Sequence, residues 1–376
     1  MTKLLATAAC NLDSDMLSAC YPLFAEDRVQ AIEWSFDALF DQGVLPPWFE
    51  ELLQAYSSAK RLTGHGVFFS LFSGKWLPEQ AQWLETLRAT TKRFPLEQVT
   101  EHFGFMTGKD FHEGAPLAIP YSNATLRIGR DRLQRIQDAA QCPVGLENLA
   151  FAYAIDDVRL HGDFLYELIE PVNGFIILDL HNVYCQLENF AINAEELLAL
   201  YPLDKVREIH ISGGSWEQVG SDPDRRIRRD THDDAVPAEV FSLLELAIDR
   251  CPECKYVVLE QLGSGLITPE SRQQFYHDFV QLEKILHRKN KTRNGDGQNN
   301  FLPFRLWDNE PAVEDDNLFQ QQRELSTILE SGMPYHEAIT ALKHSSLAHS
   351  TWNIENWDPA MLETAMQIAR KWKKKA

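Results

Sequence analysis

Gly174-Phe175-Ile176-Ile177-Leu178-Asp179-Leu180-His181-Asn182 sets the pattern for the whole chain, an apolar run that ends in an acid, an imidazole and an amide. Consecutive apolar residues over so short a length suit a strand buried on both faces, as in a parallel sheet. Seven other stretches read the same way, at 3–10, 31–36, 63–71, 98–103, 143–149, 206–212 and 255–262. Helix-like stretches fall between them, at 46–58, 78–92, 126–140, 160–170, 194–201 and 236–250. This alternation predicts parallel strands joined by helical crossovers, and eight repeats over roughly 285 residues fit a closed (β/α)8 TIM barrel. A doubly wound open sheet is the competing fold, but no Gly-x-Gly-x-x-Gly follows the first run.

Outward from the barrel, residues 288–300 read RKNKTRNGDGQNN, without one apolar side chain, and are expected to be a polar, solvated linker. The expected division is a catalytic barrel at 1–287, the linker at 288–300 and a helical C-terminal extension at 301–376. Helices are expected in the extension at 317–330, 335–344 and 359–371, with Pro334 and Pro359 where a helix start tolerates them. Trp307, Trp352, Trp357 and Trp372 are either its core or anchors for a partner. The basic end at 371–375 reads as a solvated helix terminus.

The 376 residues are 44 % hydrophobic and 24 % charged, which is ordinary for a globular protein, and the net charge is −19. That acidity argues against holding nucleic acid by general electrostatics. No apolar run of membrane-spanning length occurs, and residues 1–10 read as a first buried strand rather than a signal peptide. Six scattered cysteines make no disulfide framework, so a reducing cytoplasm is expected.

The chemistry sits at the ends of the strands. His65 lies in the third, Glu101-His102 in the fourth, Glu147-Asn148 in the fifth, Asp179 to Asn182 in the sixth and His210 in the seventh. Asp230-Thr231-His232-Asp233 follows in a loop, and Glu260 ends the eighth. Catalytic groups of a barrel converge at the C-terminal ends of its strands, and His, Asp and Glu are ligands for zinc, iron or manganese. Taken singly, each is explained by packing or an ion pair. Together they would bury many charges, and one shared metal cluster would compensate them all. Asp230 and His232 sit two apart, so an extended segment would aim both at one metal. The preceding Arg225-Arg226-Ile227-Arg228-Arg229 is a solvated loop or a clamp for an acidic peptide or phosphate. Cys251-Pro252-Glu253-Cys254 precedes the eighth strand, at the opposite end of the barrel, and reads as two ordinary thiols.

This order of ligands resembles the xylose-isomerase-like barrel superfamily, which includes endonuclease IV. Thr100-Glu101-His102-Phe103, Leu146-Glu147-Asn148, Leu178-Asp179-Leu180-His181-Asn182-Val183-Tyr184, Ile209-His210-Ile211-Ser212-Gly213 and Asp230-Thr231-His232-Asp233 resemble a narrower branch. That branch is the domain-of-unknown-function 692 family, the multinuclear non-heme iron-dependent oxidases. The resemblance spans about residues 1–287. It implies that His65 and His102 hold one iron, with Glu147 bridging to a second completed by Asp179, His210 and Glu260. It implies a third at Asn182, Asp230 and His232, with His181 substituting or assisting. Asn148, Arg228 and Arg229 are the expected substrate contacts. The chain departs from the family pattern at His181, where Asn is usual, at Gly214, which replaces an outer His, and at Gln261-Leu262, where Trp-Asp is common.

The resemblance further implies two or three iron ions of mixed valence, with zinc or manganese as the alternative. It implies O2-dependent modification of a ribosomally made precursor peptide, typically at Cys, and a partner protein that delivers the leader peptide. A metal-dependent phosphodiesterase of the endonuclease IV kind and a divalent-metal sugar isomerase are the competing activities. The acidic balance weighs against the first of these.

Overall fold

The computed structural model describes residues 3–106, 116–220, 222–293, 299–303 and 310–372. Eight parallel strands close into a barrel in sequence order: β1 Leu5–Cys10, β2 Ala31–Trp34, β3 Leu62–Gly66, β4 Val99–Glu101, β5 Val144–Glu147, β6 Phe175–Asp179, β7 Val206–Ile211 and β8 Tyr256–Leu259. β1 pairs with β8, Leu5 opposite Tyr256, and this closes the ring. All four residues of β2, of β5 and of β8 are buried, as a doubly covered parallel sheet requires.

The expected crossovers are present as α2 Pro47–Ser58, α3 Pro78–Arg93, α4 Asn123–Ala140, α5 Ile155–Ile169, α7 Ala194–Ala199 and α8 Ala238–Ala247. α1 Ser14–Ala25 and α9 Pro269–Asn290 complete the outer layer around β1 and β8. One boundary differs in a way that matters. The sixth strand was expected to reach residue 182, but it stops at Asp179. α6 Leu180–Phe190 begins at once, with the Asp179 carboxylate accepting from the Asn182 N–H as its N-cap. His181 and Asn182 therefore sit in the first turn of a helix. The apolar run does not show the break, because Leu180, Val183 and Tyr184 are buried on the inward face of α6.

The stretch 288–300, expected to be solvated, starts inside α9. Arg293 is buried, and its guanidinium donates to the carbonyls of Ile248, Cys251, Pro252 and Cys254. Counting apolar side chains misses a buried arginine satisfied by main-chain carbonyls. Phe301 is fully buried against Phe175 and Ile177 at the foot of β6. Residues 294–298, Trp307 and Lys373 to Lys375 lie outside the described residues.

Beyond these come α10 Asp316–Glu330, α11 Tyr335–Lys343 and α12 Pro359–Trp372. They meet the loops at the C-terminal ends of the strands. The Gln322 amide donates to the Phe72 carbonyl at 2.7 Å and accepts from the Gly74 N–H at 2.9 Å. Trp357 stacks on Tyr153 with centroids 3.8 Å apart, and Trp352 packs edge-on against Phe105. These two tryptophans are packing residues, while Trp372 is half exposed. Among the described residues no helix is long and apolar enough to cross a membrane.

Candidate metal centre

Barrel closure brings the strand-end residues to one mouth. The Nε2 atoms of His65 and His102 are 2.9 Å apart, and Glu147 Oε2 lies 3.4 Å from the first and 3.2 Å from the second. Thr100 Oγ1, 2.8 Å from His65 Nδ1, fixes that ring from behind. Burial holds the His65 pKa well below the usual imidazole range, with His102 adding to the effect. Burial also opposes charging His102, but Glu147 outweighs it and raises that pKa.

A second group forms on β6, β7 and β8. His210 Nδ1 lies 3.2 Å from Glu260 Oε2 and 4.0 Å from Asp179 Oδ2. Asp179 is fully buried, and burial, with Asp230 and Glu147 nearby, raises its carboxyl well above the usual range. What stands behind His210 is not legible in the strand-end pattern. Its Nε2 lies 3.1 Å from Glu33 Oε2 and 3.3 Å from Glu208 Oε1, both buried. Two carboxylates on one nitrogen make Nε2 an N–H donor and turn Nδ1 toward Asp179 and Glu260; burial opposes charging the ring, but Glu33, Glu208 and Glu260 outweigh it and raise its pKa well above the usual range. The chain of contacts continues inward, since Gln98 donates to Glu208 Oε2 at 2.9 Å and Arg207 donates to Gln98 at 2.6 Å.

The Asp-x-His pair meets, but not through an extended segment. His232 has φ = +52°, and this left-handed residue turns its ring back until Nε2 lies 2.8 Å from Asp230 Oδ1. His232 Nδ1 is 3.4 Å from Glu260 Oε1. Burial opposes charging His232, yet Asp230 and Glu260 outweigh it and raise its pKa.

His181 is engaged on both sides. Arg228 donates to its Nε2 from Nε at 3.2 Å and from a terminal nitrogen at 3.0 Å. Nε2 is therefore the acceptor, and Nδ1–H donates to Asp230 Oδ1 at 2.9 Å. Asn182 instead donates its amide N–H to Glu147 and to the Asn148 carbonyl, and its Oδ1 has no partner. In this geometry Asn182 offers an oxygen to a metal and His181 holds Asp230. Gly214 lies directly beside the His181 ring. A Cβ there would sit 2.7 Å from His181 Cε1 and would collide with the Arg229 carbonyl.

The expected substrate contacts turn inward. Asn148 is fully buried, accepts from the Asp179 N–H at 2.6 Å and donates to the Asp179 carbonyl at 3.1 Å. Arg228 is buried on His181, with its guanidinium 5.4 Å from the Tyr184 ring centroid. Arg229 pairs with Glu217, and Arg225 makes a two-pronged pair with Asp358 of the extension at 2.9 and 3.0 Å. Most of the basic run is thus neutralised from within, because the chain folds acids and a histidine onto it. Glu101 also stays out of the cluster, turned toward the backbone of Phe69 and His102.

Among the described residues, four triads have ligand atoms within 4.8 Å of one another: His65, His102 and Glu147; Glu33, His210 and Glu260; Glu147, Asp179 and His210; and Asp179, His232 and Glu260. Asp179 Oδ2, Asn182 Oδ1 and His210 Nδ1 are buried without hydrogen-bond partners among the described residues. An all-His and carboxylate set with unsatisfied buried donor atoms fits a cluster of transition-metal ions. Among the described residues no such group includes Cys251 or Cys254. Both are buried free thiols with pKa values raised by burial, that of Cys254 to about 12.

The chain has recognisable relatives among known proteins. A UPF0276 protein from Caulobacter vibrioides is 27 % identical over 187 residues, which are 50 % of this chain and 64 % of the relative. One from Acaryochloris marina is 28 % identical over 226 residues, 58 % of this chain and 76 % of the relative. The chain thus spans just under two thirds of the Caulobacter protein. Among solved structures, a zinc-bound IOLI protein matches 78 % of this chain and 100 % of its own length, with 15 % identity and a TM-score of 0.45, a likeness that carries no argument about function. The family model of the RiPP precursor modification enzymes MbnB/TglH/ChrH matches residues 25–262, from before β2 to just past Glu260. More than half of the sequence lies within that match, so the chain belongs to the MbnB/TglH/ChrH family of RiPP precursor modification enzymes.

Proposed function

We propose that this chain is a multinuclear non-heme iron-dependent oxidase that uses O2 to modify a ribosomally made peptide at cysteine. The observation that carries the reading is the set of buried donor atoms at the barrel mouth, which no group among the described residues completes. His65, His102 and Glu147 would hold one ion. Glu147, Asp179, His210 and Glu260 would hold a second, and Asn182, Asp230 and His232 a third. Iron bound there would supply one-electron chemistry with positions left for O2 and a substrate thiolate.

The protein's own part is orientation. Glu33 and Glu208 keep the hydrogen of His210 on Nε2. Thr100 holds His65, and Arg228 acts through His181 to hold Asp230. Asn148 pins the backbone at Asp179. The apolar shell of the barrel keeps bulk water from the donor atoms, and proximity of the bound cysteine supplies much of the rate. In this reading a precursor peptide and O2 are the substrates, a leader-binding protein is the partner, and residues 301–376 are an extension that frames the mouth.

Anaerobically purified protein is expected to contain iron, at two or three ions per chain by elemental analysis. Exposure to O2 with a short Cys-containing peptide encoded beside the gene should change the peptide mass and consume O2. Colourless, zinc-loaded protein that cleaves phosphodiesters would sink the reading.

A further inference from the structure

Among the loops that follow β4 and β5 lies a cavity of about 140 Å³ walled by Phe103, Tyr121, Leu149, Phe151, His161 and Phe164. The chain itself joins it to the cluster, since Phe103 follows His102 and Leu149 lies two residues after Glu147. Thr351 and Asn353, from the extension, complete its lining. Phe103 meets Phe164 edge-on at 5.1 Å between centroids, and Tyr121 stacks on Phe164 at 4.7 Å, so packed rings form the walls. A core cavity of ~150 Å³ holds one benzene ring. This one therefore suits a single side chain between Leu and Phe in size. Asp156 and Asp157 also line it. Asp157 already accepts from the Tyr153 and Ala154 N–H groups, and Asp156 pairs with Arg159. Gln186 lines it too, but donates to the Leu149 carbonyl and accepts from the Tyr201 hydroxyl, while Thr351 and Asn353 stand at the exposed rim, so the rings are what meets an occupant's side chain inside.

Among the buried polar residues of the wall, His161 keeps an open N–H. His161 is 7 % exposed, and its Nε2 accepts from the Leu149 N–H at 3.0 Å. Burial brings its pKa down to about 3, so the ring is neutral and its hydrogen sits on Nδ1. Among the described residues nothing accepts from that N–H. A fixed donor in an aromatic cavity suits a carbonyl oxygen attached to an apolar group.

We propose that this cavity receives an apolar side chain, Leu to Phe in size, of the peptide processed at the metal cluster, and that His161 Nδ1–H holds a backbone carbonyl of the same peptide. The assignment rests on the peptide-modifying reading above. It makes residue choice next to the processed cysteine a property of Phe103, Phe151, Phe164 and His161.

The test titrates N-acetyl-phenylalaninamide, N-acetyl-leucinamide and N-acetyl-lysinamide into the full-length chain, followed by ligand-observed NMR. The two apolar amides are expected to bind at least about tenfold more tightly than the lysine amide. Thr351→Trp, on the exposed rim, should weaken them by about tenfold with an unchanged melting temperature and metal content. His161→Phe, which keeps a ring and removes the donor, should weaken them by a similar factor. Absent binding, equal binding of the lysine amide, or binding unchanged in T351W overturns the assignment. Peptide modification is followed separately. Cavity binding lost in T351W while a peptide preferring Lys beside its Cys is modified normally overturns the assignment alone. Amide binding as expected, with no Cys peptide modified, overturns the oxidase reading and the occupant named here.

Discussion

At the N-terminal end of the barrel the Arg293 guanidinium donates to four carbonyls at 2.8 to 3.3 Å, and Asn173 and Asn299 exchange amide hydrogen bonds at 3.0 Å. At the C-terminal end Asp179 Oδ2, Asn182 Oδ1 and His210 Nδ1 are buried without partners among the described residues. Both ends take polar groups out of water. The first completes Arg293 from its own backbone. The second collects acids and imidazoles whose remaining valences point at one another. Burial of that kind costs several kcal/mol per incomplete group, so the mouth calls for something outside the polypeptide. The same contrast explains why Cys251-x-x-Cys254, a metal motif in other settings, is inert here. Its carbonyls serve Arg293 and its thiols are packed apolar groups.

The contrast breaks or sharpens under mutation. The largest effect is expected from Glu147→Gln, which removes a carboxylate shared by two groups. Bound metal should fall by at least one ion per chain, and peptide modification by about 100-fold or more. Full metal content in this variant would break the comparison. Arg293→Ala should leave metal content unchanged and destabilise the fold by about 2–4 kcal/mol in denaturant melts, because four carbonyls lose a charged donor. Glu33→Gln should keep the fold and weaken metal binding by about 10- to 100-fold in competition with a chelator.

A smaller effect concerns pH. The pKa of His161 falls from 6.5 to about 3 on folding through burial, so between those values the unfolded chain binds a proton that the native chain does not. This group therefore adds a loss of about 1.4 kcal/mol for each pH unit as pH falls through that window. His161→Phe should flatten the dependence of stability on pH by that slope, measured between pH 6.5 and 4.5. The smallest effect is Cys251→Ala, with metal content unchanged and a cost of about 1 kcal/mol for lost packing.

What the sequence made legible follows from the same geometry. His65, His102, Glu147, Asp179, His210 and Glu260 stand at the ends of apolar runs, where a barrel gathers its reactive groups. Glu33 and Glu208 were hidden because they sit inside strands, between Ile32 and Trp34 and between Arg207 and Ile209. Only ring closure sets Glu33 against His210, 177 residues away. The Asp230–His232 pair was found for an incomplete reason, since spacing predicts an extended pair and a left-handed residue makes the contact. The partners of the arginine run were not legible, because Asp358 and His181 come from distant segments and Glu217 meets Arg229 only through a hairpin.

The space beside Gly214 carries a last consequence. The His181 ring fills the place where a side chain on residue 214 would have to stand. The Arg229 carbonyl stands closer still, so a smaller residue at 181 does not by itself make room. A side chain at 214 demands a different backbone course at Arg229 as well as a changed residue 181 or a displaced helix α6, and the imidazole through which Arg228 reaches Asp230 is then lost. Position 214 is thus tied to two segments at once, and Gly214→Ala should stay destabilising even when His181 is replaced by Ala.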